Sequence, residues 1–349
     1  MTRLALLVVA CVVASACDAS TPAPSAPASP SASPTRPLEA VTFMAGFKAQ
    51  ANLPFVGVYV AQKRGYFREQ GLDVTIQHSA GSGEHIRLLG TGAVQFSTGS
   101  AGDVMKRVAD AGVPLVSVAV IGQRGEQAYA VRADSPIRTP KDWEGRLVGY
   151  KGVVSADYLA LLKLAGVDRS KVREVAVGFD PRVLVLGQVD VYPVFTSNEP
   201  DTLDRLGVPV RLFEPWRFGV PSLGLTYITT RDMVATRADT VRRFLAAALK
   251  GIADAVADRA AAVDIVMEFA PGEDRAHQRY MLDTEIDAAL TDLTRTQGIG
   301  ATSRDQWSKL HDVLADNGGI SKRIDVDTVF TDRFTKELYQ GGRLVWPGP

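Results

Sequence analysis

The sequence predicts an α/β protein made of two doubly wound units, with the second inserted between parts of the first. Strand-like apolar runs alternate with short helical segments from residue 41 onwards, and the same alternation restarts at residue 146. A last strand-like run at 225–229 precedes a chain that is largely helical. An inserted unit requires two crossings of the chain, which we place near 129–132 and 224–228. Such an arrangement favours hinge closure over a ligand.

The first unit opens with a strand, a turn, a helix and a second strand. An apolar strand over 41–47 runs into a polar turn at 48–52, and Pro54 then opens a helix that ends at Gly65. Apolar residues alternate along the strand that begins at Leu72. Because ligands of open α/β sheets collect at the carboxyl ends of such strands, we expect the polar turn to contribute to a ligand site.

The remaining elements follow at similar spacing. They are a helix around Ile86, strands at 94–98, 113–121 and 129–131, a helix around Val104, and, in the second unit, strands at 146–150, 172–177, 189–194 and 210–213 with a helix at 156–164. The run at 113–121 is almost continuously apolar, which is typical of a buried parallel strand.

The helical section after Arg231 has an apolar face at the helical period, formed by Val241, Phe244, Leu245, Ala248, Leu249 and Ile252. Ser303 and Gln306 form a capping box at the start of a later helix. Few polar loops in this section suit a ligand site. We expect these helices to pack on the outside of the first unit.

The first 37 residues differ in composition from the rest of the chain. Arg3 precedes an apolar run over 4–13, and small residues then lead to Cys17. This pattern resembles a bacterial lipoprotein signal, in which the cysteine is lipid-modified, so Cys17 is the predicted membrane anchor; secretion without a lipid is the alternative. Residues 18–37 are almost entirely Ser, Thr, Ala and Pro, the composition of a flexible tether.

The predicted domains follow from these patterns. They are a signal peptide (1–17), a tether (18–37), a discontinuous first lobe (38–130 and 225–349) and a second lobe (131–224).

Composition excludes several classes of function. Lysine plus arginine equals aspartate plus glutamate at 39 each, so no net charge favours nucleic acid. Cys11 and Cys17 both fall in the predicted signal, which leaves the folded part without a disulfide or a cysteine metal site. The four histidines lack metal-ligand spacing, and no HExxH or GxSxG motif occurs. Ile86 stands where the dinucleotide fingerprint beginning at Gly81 needs a third glycine. From these missing motifs together we expect no cofactor, no metal and no catalysis.

Residues 59–74, YVAQKRGYFREQGLDV, resemble the helix-to-strand signature of ABC-importer solute-binding proteins in the thiamine-pyrimidine-precursor and sulfonate group. Similar segments are GSAGD at 99–103, TPKDWEG at 139–145 and LGQVDV at 186–191, and the resemblance covers about 41–249. It implies a periplasmic-binding-protein type 2-like fold, with two lobes that close on a ligand and deliver it to a permease. Members of this group bind thiamine-type pyrimidines, riboflavin, sulfonates, nitrate or other small solutes.

Candidate ligand-binding residues lie at predicted strand ends and helix starts. The first unit offers Phe47, Asn52, Phe55, Tyr59, Ser100, Asp103, Gln123 and Arg124, and the second offers Tyr192, Phe195, Asn198, Glu199, Trp216 and Phe218. This set is rich in aromatic residues for a chain that is 7% aromatic overall. Aromatic faces with amide and carboxylate groups at their edges suit a flat heterocycle, whereas Arg124 and then Lys151 are the candidates for an anionic group.

The leading hypothesis is a lipoprotein that binds a thiamine-type pyrimidine or a riboflavin-like solute for an ABC importer. The alternative is a receptor for a sulfonate such as taurine, or for a nitrate-like anion; a pyrimidine-synthesising enzyme and a sensor domain are further hypotheses. We expect an extracytoplasmic monomer, anchored through Cys17 to the bacterial cell membrane. Its partners are a small-molecule ligand and the transmembrane subunits of a permease, with no nucleic acid.

Overall fold

The computed structural model describes residues 37–348 of the chain. The predicted signal peptide, the lipid-anchor residue Cys17 and all of the predicted tether except Pro37 lie outside the described residues. Within residues 37–348, no helix is both long and apolar enough to cross a membrane.

Strands and helices alternate through the first two thirds of the described chain. In order, they are β1 (Glu39–Ala45), α1 (Leu53–Lys63), α2 (Tyr66–Glu69), β2 (Leu72–His78), α3 (Glu84–Gly90), β3 (Phe96–Ser100), α4 (Ala101–Ala111), β4 (Leu115–Val120), β5 (Gln127–Arg132), β6 (Leu147–Lys151), α5 (Ala156–Leu164), β7 (Arg173–Val177), α6 (Arg182–Val185), β8 (Tyr192–Phe195), α7 (Glu199–Arg205), β9 (Val210–Phe213) and β10 (Leu225–Thr230).

Helices dominate the remainder. They are α8 (Arg231–Thr236), α9 (Ala238–Ala257), α10 (Arg259–Phe269), α11 (Arg275–Ala289), α12 (Asp292–Gln297), α13 (Arg304–Asp316) and α14 (Arg333–Leu338), followed by the short strands β11 (Tyr339–Gln340) and β12 (Arg343–Leu344). The predicted capping box of Ser303 and Gln306 is present at the start of α13.

The first sheet has five strands in the order β2-β1-β3-β10-β4. Strand β1 runs parallel to β2 and β3, whereas β10 is antiparallel to both β3 and β4. The prediction that the apolar run at 113–121 pairs in parallel is therefore wrong. Every residue of β4 is buried, so coverage of both faces, and not the pairing direction, explains its continuous apolar sequence.

Strands β5 to β9 form a second layer of sheet, whereas β11 and β12 pair with each other. Strands β8, β5 and β9 pair in the order β8-β5-β9, and β6 pairs in parallel with β7. The Gly149 N–H donates to the Val191 carbonyl at 2.8 Å, which places β6 beside the start of β8 and gives the overall order β7-β6-β8-β5-β9. Strand β5 crosses the predicted boundary between the lobes and pairs with β8 and β9 in this layer. The boundaries of the two lobes stay a prediction.

Helix α9 covers the first sheet with the apolar face that the sequence predicts. Phe244 stacks on Phe96 with ring centroids 3.9 Å apart, and on Phe67 at 5.4 Å. The neighbouring helix α1 approaches α9 so closely that a Cβ added at Gly251 would lie 2.0 Å from the Gly57 carbonyl oxygen. The absence of a side chain at Gly251 is therefore what allows the two helices to pack.

The expectation that the C-terminal helices only cover the outside of the first unit is incomplete. Helix α13 packs against α4 and α5, and α11 lies against α7. On α11, Glu285 is buried and hydrogen-bonds both to the loop after β1 and to the loop after β8. Helix α11 therefore supplies a buried polar side chain directly behind the candidate site, although this section of the sequence has few polar loops.

Candidate functional site

A cavity of about 210 Å³ lies where loops from both layers of sheet converge. The loops after β1, β2 and β3 form one wall, and the loops after β6, β7 and β8 form the other. The structure brings to this cavity the predicted residues Phe47, Asn52, Phe55, Ser100, Asp103, Phe195, Asn198 and Glu199. That these residues contact a ligand stays a prediction.

Two aromatic rings meet across the cavity. Phe47 follows β1 and Phe179 follows β7, and their ring centroids are 4.6 Å apart with the planes tilted by 41°. A Cβ added at Gly81 would lie 2.7 Å from Phe179 and 2.8 Å from Phe47. Gly81 also has a φ of +86°, so both the backbone and the contact favour glycine there. The rings and the glycine together form one apolar end of the cavity.

Lys151 and Glu199 form a buried ion pair on the wall opposite β1. The ammonium lies 4.8 Å from the centroid of the Tyr192 ring and 5.5 Å from that of Phe179. The Phe195 N–H donates to the other carboxylate oxygen of Glu199 at 2.7 Å. Lys151, which the sequence offered as a candidate for an anionic ligand, is thus already neutralised by a carboxylate.

A second set of charges comes from α4. The Asp103 N–H donates to the Ser100 hydroxyl at 3.2 Å, which caps the helix. Burial raises the pKa of Asp103, and the Ser100 hydroxyl with Arg107 and Lys106 partly oppose that rise. Among the described residues, no hydrogen bond or ion pair engages the Arg107 guanidinium, which lines the cavity.

His85 is a neutral group in this cavity. Burial, together with the charge of Arg107, lowers the pKa of His85 to about 4. Its Nδ1 is buried and has no hydrogen-bond partner among the described residues. His85 thus adds no charge to the lining. Asp103 and Glu199 carry negative charges and Arg107 and Lys151 carry positive charges, so the charges of the lining residues cancel.

Amide groups line the wall formed by the loop after β1. Asn52 Nδ2 donates to Glu285 Oε1, and Gln50 Nε2 donates to Asn52 Oδ1 at 2.5 Å. Glu285 also accepts from the Leu53 N–H at 2.5 Å and from the Ser197 hydroxyl at 3.0 Å. Burial raises the pKa of Glu285 to about 7, although these hydrogen bonds oppose the rise.

Another amide, Asn198, lies on the opposite wall. Its Oδ1 is 2.9 Å from Nε2 of His277, and Nδ1 of the same ring is 2.6 Å from Asp201 Oδ2. His277 comes from α11 and Asp201 from α7, so this chain of contacts joins the two elements behind the cavity.

The segments that follow β4 and precede β10 meet at another buried carboxyl group, Glu126. The Gly224 N–H donates to the Gly122 carbonyl at 2.8 Å, and a Cβ added at either glycine would fall within 2.5 Å of Glu126 Oε1. Burial, together with the charge of Glu285, raises the pKa of Glu126 well above its usual range. Glu126 Oε2 has no partner among the described residues.

Three predicted residues of the first unit lie away from the cavity. Tyr59 is buried in the core, where its hydroxyl lies 2.7 Å from His78 Nε2 and its ring stacks on Phe269. Gln123 is buried and donates to the carbonyls of Val120 and Ala301. Arg124 is exposed, and its guanidinium donates to the Asp287 carbonyl at 3.4 Å. None of these three lines the cavity.

Three predicted residues of the second unit also lie elsewhere. The Tyr192 hydroxyl donates to the Gly178 carbonyl at 2.9 Å, so its ring supports Lys151 from behind. Trp216 donates to Glu214 and stacks with Arg217, and Phe218 packs on Phe213 in the core. The aromatic loop that contains Trp216 and Phe218 is not a wall of this cavity.

Sequence reasoning missed several groups that line or support the cavity. Phe179 follows the predicted strand at 172–177, so the strand-end rule that selected Phe47 could have found it. His85 and Arg107 lie on helices whose polar faces carry no motif. His277 and Glu285 lie within α11, where no local signal distinguishes them from surface residues.

Within residues 37–348, no group of three or more His, Cys, Asp or Glu side chains is arranged to hold a metal ion.

The chain is similar to known proteins over most of its length. A family model described as NMT1/THI5 like matches residues 52–262. A riboflavin-binding protein of Chloroflexus aurantiacus is 27% identical over 95% of this chain and 97% of its own length. A formylaminopyrimidine-binding protein of Halalkalibacterium halodurans is 31% identical over 63% of this chain and 67% of its own length.

A solved structure supports the fold. The periplasmic aliphatic sulphonate-binding protein of Escherichia coli superposes with a TM-score of 0.64 at 16% identity, covering 89% of this chain and 97% of that protein. The predicted periplasmic-binding-protein fold is confirmed.

Proposed function

The chain belongs to the NMT1/THI5-like family, and on that premise we propose that it is the solute-binding protein of an ABC importer whose cavity takes a small, neutral heteroaromatic ring. The observation that carries this proposal is the pair of rings, Phe47 and Phe179, at one end of a cavity whose charges cancel. Aromatic faces stack on a flat heterocycle, and balanced charges favour an uncharged one.

The polar groups of the walls suit the edges of such a ring. Gln50, Asn52 and Asn198 supply amide donors and acceptors, which match ring nitrogens, amino groups and carbonyls. The two curated relatives are named for riboflavin and formylaminopyrimidine, and both compounds contain nitrogen heterocycles with hydrogen-bonding edges. A cavity of about 210 Å³ is smaller than the roughly 300–1,000 Å³ typical of sites for drug-sized ligands. A single pyrimidine-type ring therefore fits as the structure stands, whereas a flavin requires further opening at Phe179.

The proposed mechanism is reversible binding with no covalent step. The Glu199 carboxylate is paired with Lys151 and Asp103 is bonded to Ser100, so these groups act in positioning. Closure of the two sheet layers around the ligand then presents the bound form to the transmembrane subunits of a permease. We place the protein outside the cytoplasm as a monomer anchored through Cys17 to the cell membrane.

A sulfonate or another small anion is the second candidate, and one observation favours it. Arg107 lines the cavity without a hydrogen bond or ion pair among the described residues, and a guanidinium binds sulfonate oxygens well. Against this, Arg124 lies away from the cavity and Lys151 is already paired. Among the lining residues within 37–348, a buried anion would thus meet one cation without an ion pair, Arg107, and two carboxylates.

A thermal-shift experiment on the full-length protein separates the two candidates. The probes are riboflavin, formylaminopyrimidine, taurine and nitrate, because a ligand that binds only the folded state raises the unfolding temperature. We expect stabilisation by at least one of the two heterocycles. Stabilisation by taurine or nitrate alone would transfer the proposal to the anion class. Turnover of formylaminopyrimidine by the purified protein would contradict the mechanism without a covalent step.

A further inference from the structure

We propose that two hydrogen-bond relays behind the cavity fix the orientation of its amides, so that Gln50 offers the ligand an acceptor and Asn198 offers it a donor. The inference rests on the proposed function and deepens it. It assigns positioning roles to Glu285, Asp201 and His277, none of which lines the cavity.

The first relay starts at Glu285. In its ionised form the Glu285 carboxylate only accepts hydrogen bonds, so Asn52 turns its Nδ2 towards it. That orientation leaves Asn52 Oδ1 facing Gln50, which donates to it through Nε2 at 2.5 Å. The Gln50 Oε1 atom then remains without a hydrogen-bond partner among residues 37–348, on a side chain that lines the cavity. The relay therefore presents an acceptor on the wall that follows β1.

The second relay starts at Asp201. Its carboxylate accepts from the Nδ1–H of His277, at 2.6 Å. The other ring nitrogen, Nε2, is 2.9 Å from Asn198 Oδ1, which is also an acceptor. In this arrangement both ring nitrogens of His277 donate a hydrogen bond, so the relay requires a proton on each of them. A ring protonated at Nδ1 alone would require the Asn198 amide to turn over.

Contacts on several sides hold the His277 ring in place. Asp201 faces Nδ1, and the Asp274 carboxylate accepts from the His277 backbone N–H at 2.7 Å. Arg205 is bonded to both of these carboxylates, and the Tyr280 ring stacks beside the imidazole.

The relay decides what Asn198 shows to the cavity. Because Oδ1 is held by His277, the amide nitrogen Nδ2 is the end that has no partner among the described residues. The two walls thus present opposite polarity, with an acceptor at Gln50 and an N–H donor at Asn198. A complementary ligand carries an N–H donor on one edge and a carbonyl or ring-nitrogen acceptor on the other, as both formylaminopyrimidines and flavins do.

Two substitutions at one position separate a positioning role from a structural one. His277→Gln keeps an N–H donor near the place of Nε2, so it can still hold Asn198 Oδ1 but loses the contact with Asp201. His277→Asn reaches only the place of Nδ1, so it keeps the Asp201 contact and releases Asn198. We expect His277→Gln to bind the heterocycle within about threefold of the wild type and His277→Asn to bind it roughly tenfold more weakly.

A merely structural role predicts the reverse order, because the variant that keeps the link between α11 and α7 would then bind better. The affinities are measured by titration calorimetry with riboflavin and formylaminopyrimidine. Equal affinities of the two variants, or tighter binding by His277→Asn, would overturn the proposal.

A measurement without ligand tests the same relay independently of the proposed function. The ¹⁵N resonances of the His277 ring in the full-length protein at pH 7 report whether one or both ring nitrogens carry a proton. The relay requires a proton on both nitrogens. A neutral ring in the wild type would contradict the relay, even in a protein that binds a heterocycle. Failure of both heterocycles to bind a wild type with a doubly protonated ring would instead reject the proposed ligand class.

Discussion

The rings of Phe47 and Phe179 meet at 4.6 Å although one follows a strand of the five-stranded sheet and the other a strand of the second layer. Their contact joins the two walls of the cavity at its apolar end. A flat ligand that entered between them would replace one ring–ring contact with two ring–ligand contacts.

Replacing Phe179 with alanine should weaken binding of a heterocycle by roughly 10- to 100-fold, because stacking and buried apolar area are both lost. Titration calorimetry with riboflavin and formylaminopyrimidine measures the change. Trp216→Ala is the matched control, since Trp216 is another aromatic loop residue that lies away from the cavity. Equal losses in both variants would show that Phe179 does not act through the ligand.

Replacing Lys151 with methionine should lower the free energy of unfolding by about 3 kcal/mol, because it leaves the carboxylate of Glu199 buried without its partner. Urea unfolding measures the change. Lys171→Met removes the cation of an exposed pair with Asp168 and should change stability by less than about 0.5 kcal/mol. A similar effect at both positions would contradict the account of the buried pair.

Glu285 should make the stability of the protein fall as pH rises from about 4.5 to 7, whereas His85, whose pKa burial lowers to about 4, opposes that fall. Burial raises the pKa of Glu285 from 4.5 to about 7, so within this window the folded protein holds a proton that the unfolded chain has lost. Such a group stabilises fully below the unfolded pKa, and its contribution is lost as pH rises through the folded pKa. Asp157, whose pKa burial also raises to about 7, acts in the same direction.

Glu285→Gln should make this decline shallower by up to about 1.4 kcal/mol per pH unit, because the folded and unfolded states then differ by one bound proton fewer. Urea unfolding at several pH values measures the slope. Glu268→Gln, a change to an exposed side chain on α10, is the control and should keep the wild-type slope. An unchanged slope in Glu285→Gln would mean that this carboxyl does not titrate between the two values.

Gly251→Ala should destabilise the protein by about 2 kcal/mol, although alanine is the better helix former by about 1 kcal/mol. The added methyl group would lie 2.0 Å from the Gly57 carbonyl oxygen and would force α1 and α9 apart. Thermal unfolding measures the loss. Nothing lies within 4 Å of a Cβ at Gly272, so Gly272→Ala should leave the unfolding temperature nearly unchanged. Stabilisation by Gly251→Ala would contradict the close packing of these helices.

Local sequence patterns predicted the elements well but did not indicate which strands lie side by side or in which direction they pair. The apolar face of α9 and the β1–α1–β2 unit follow from periodicity and turn residues, and both appear as predicted. No local pattern in the sequence indicates that β10 pairs in antiparallel orientation. The direction of pairing depends on which strands lie side by side. A buried strand such as β4 therefore has the same continuous apolar sequence whether it pairs in parallel or in antiparallel orientation.

Strand order also explains which site residues were placed correctly. Phe47 follows β1 and Phe195 ends β8, and both strands border the cavity. Arg124 follows β4, which β10 separates from β3, and Trp216 follows β9, which β5 separates from β8. Two strand spacings amount to roughly 10 Å, so these loops lie beside the cavity and not in it. His277 and Glu285 could not be predicted because they approach from a helix that the fold brings in from a distant part of the sequence.

The most direct test of the proposed function is titration calorimetry of the full-length protein with riboflavin, formylaminopyrimidine and taurine, each repeated on Phe179→Ala. We expect one-to-one binding of at least one heterocycle, weakened by the substitution, and no heat of binding with taurine. Tight binding of taurine that Phe179→Ala leaves unchanged, with no binding of either heterocycle, would contradict it.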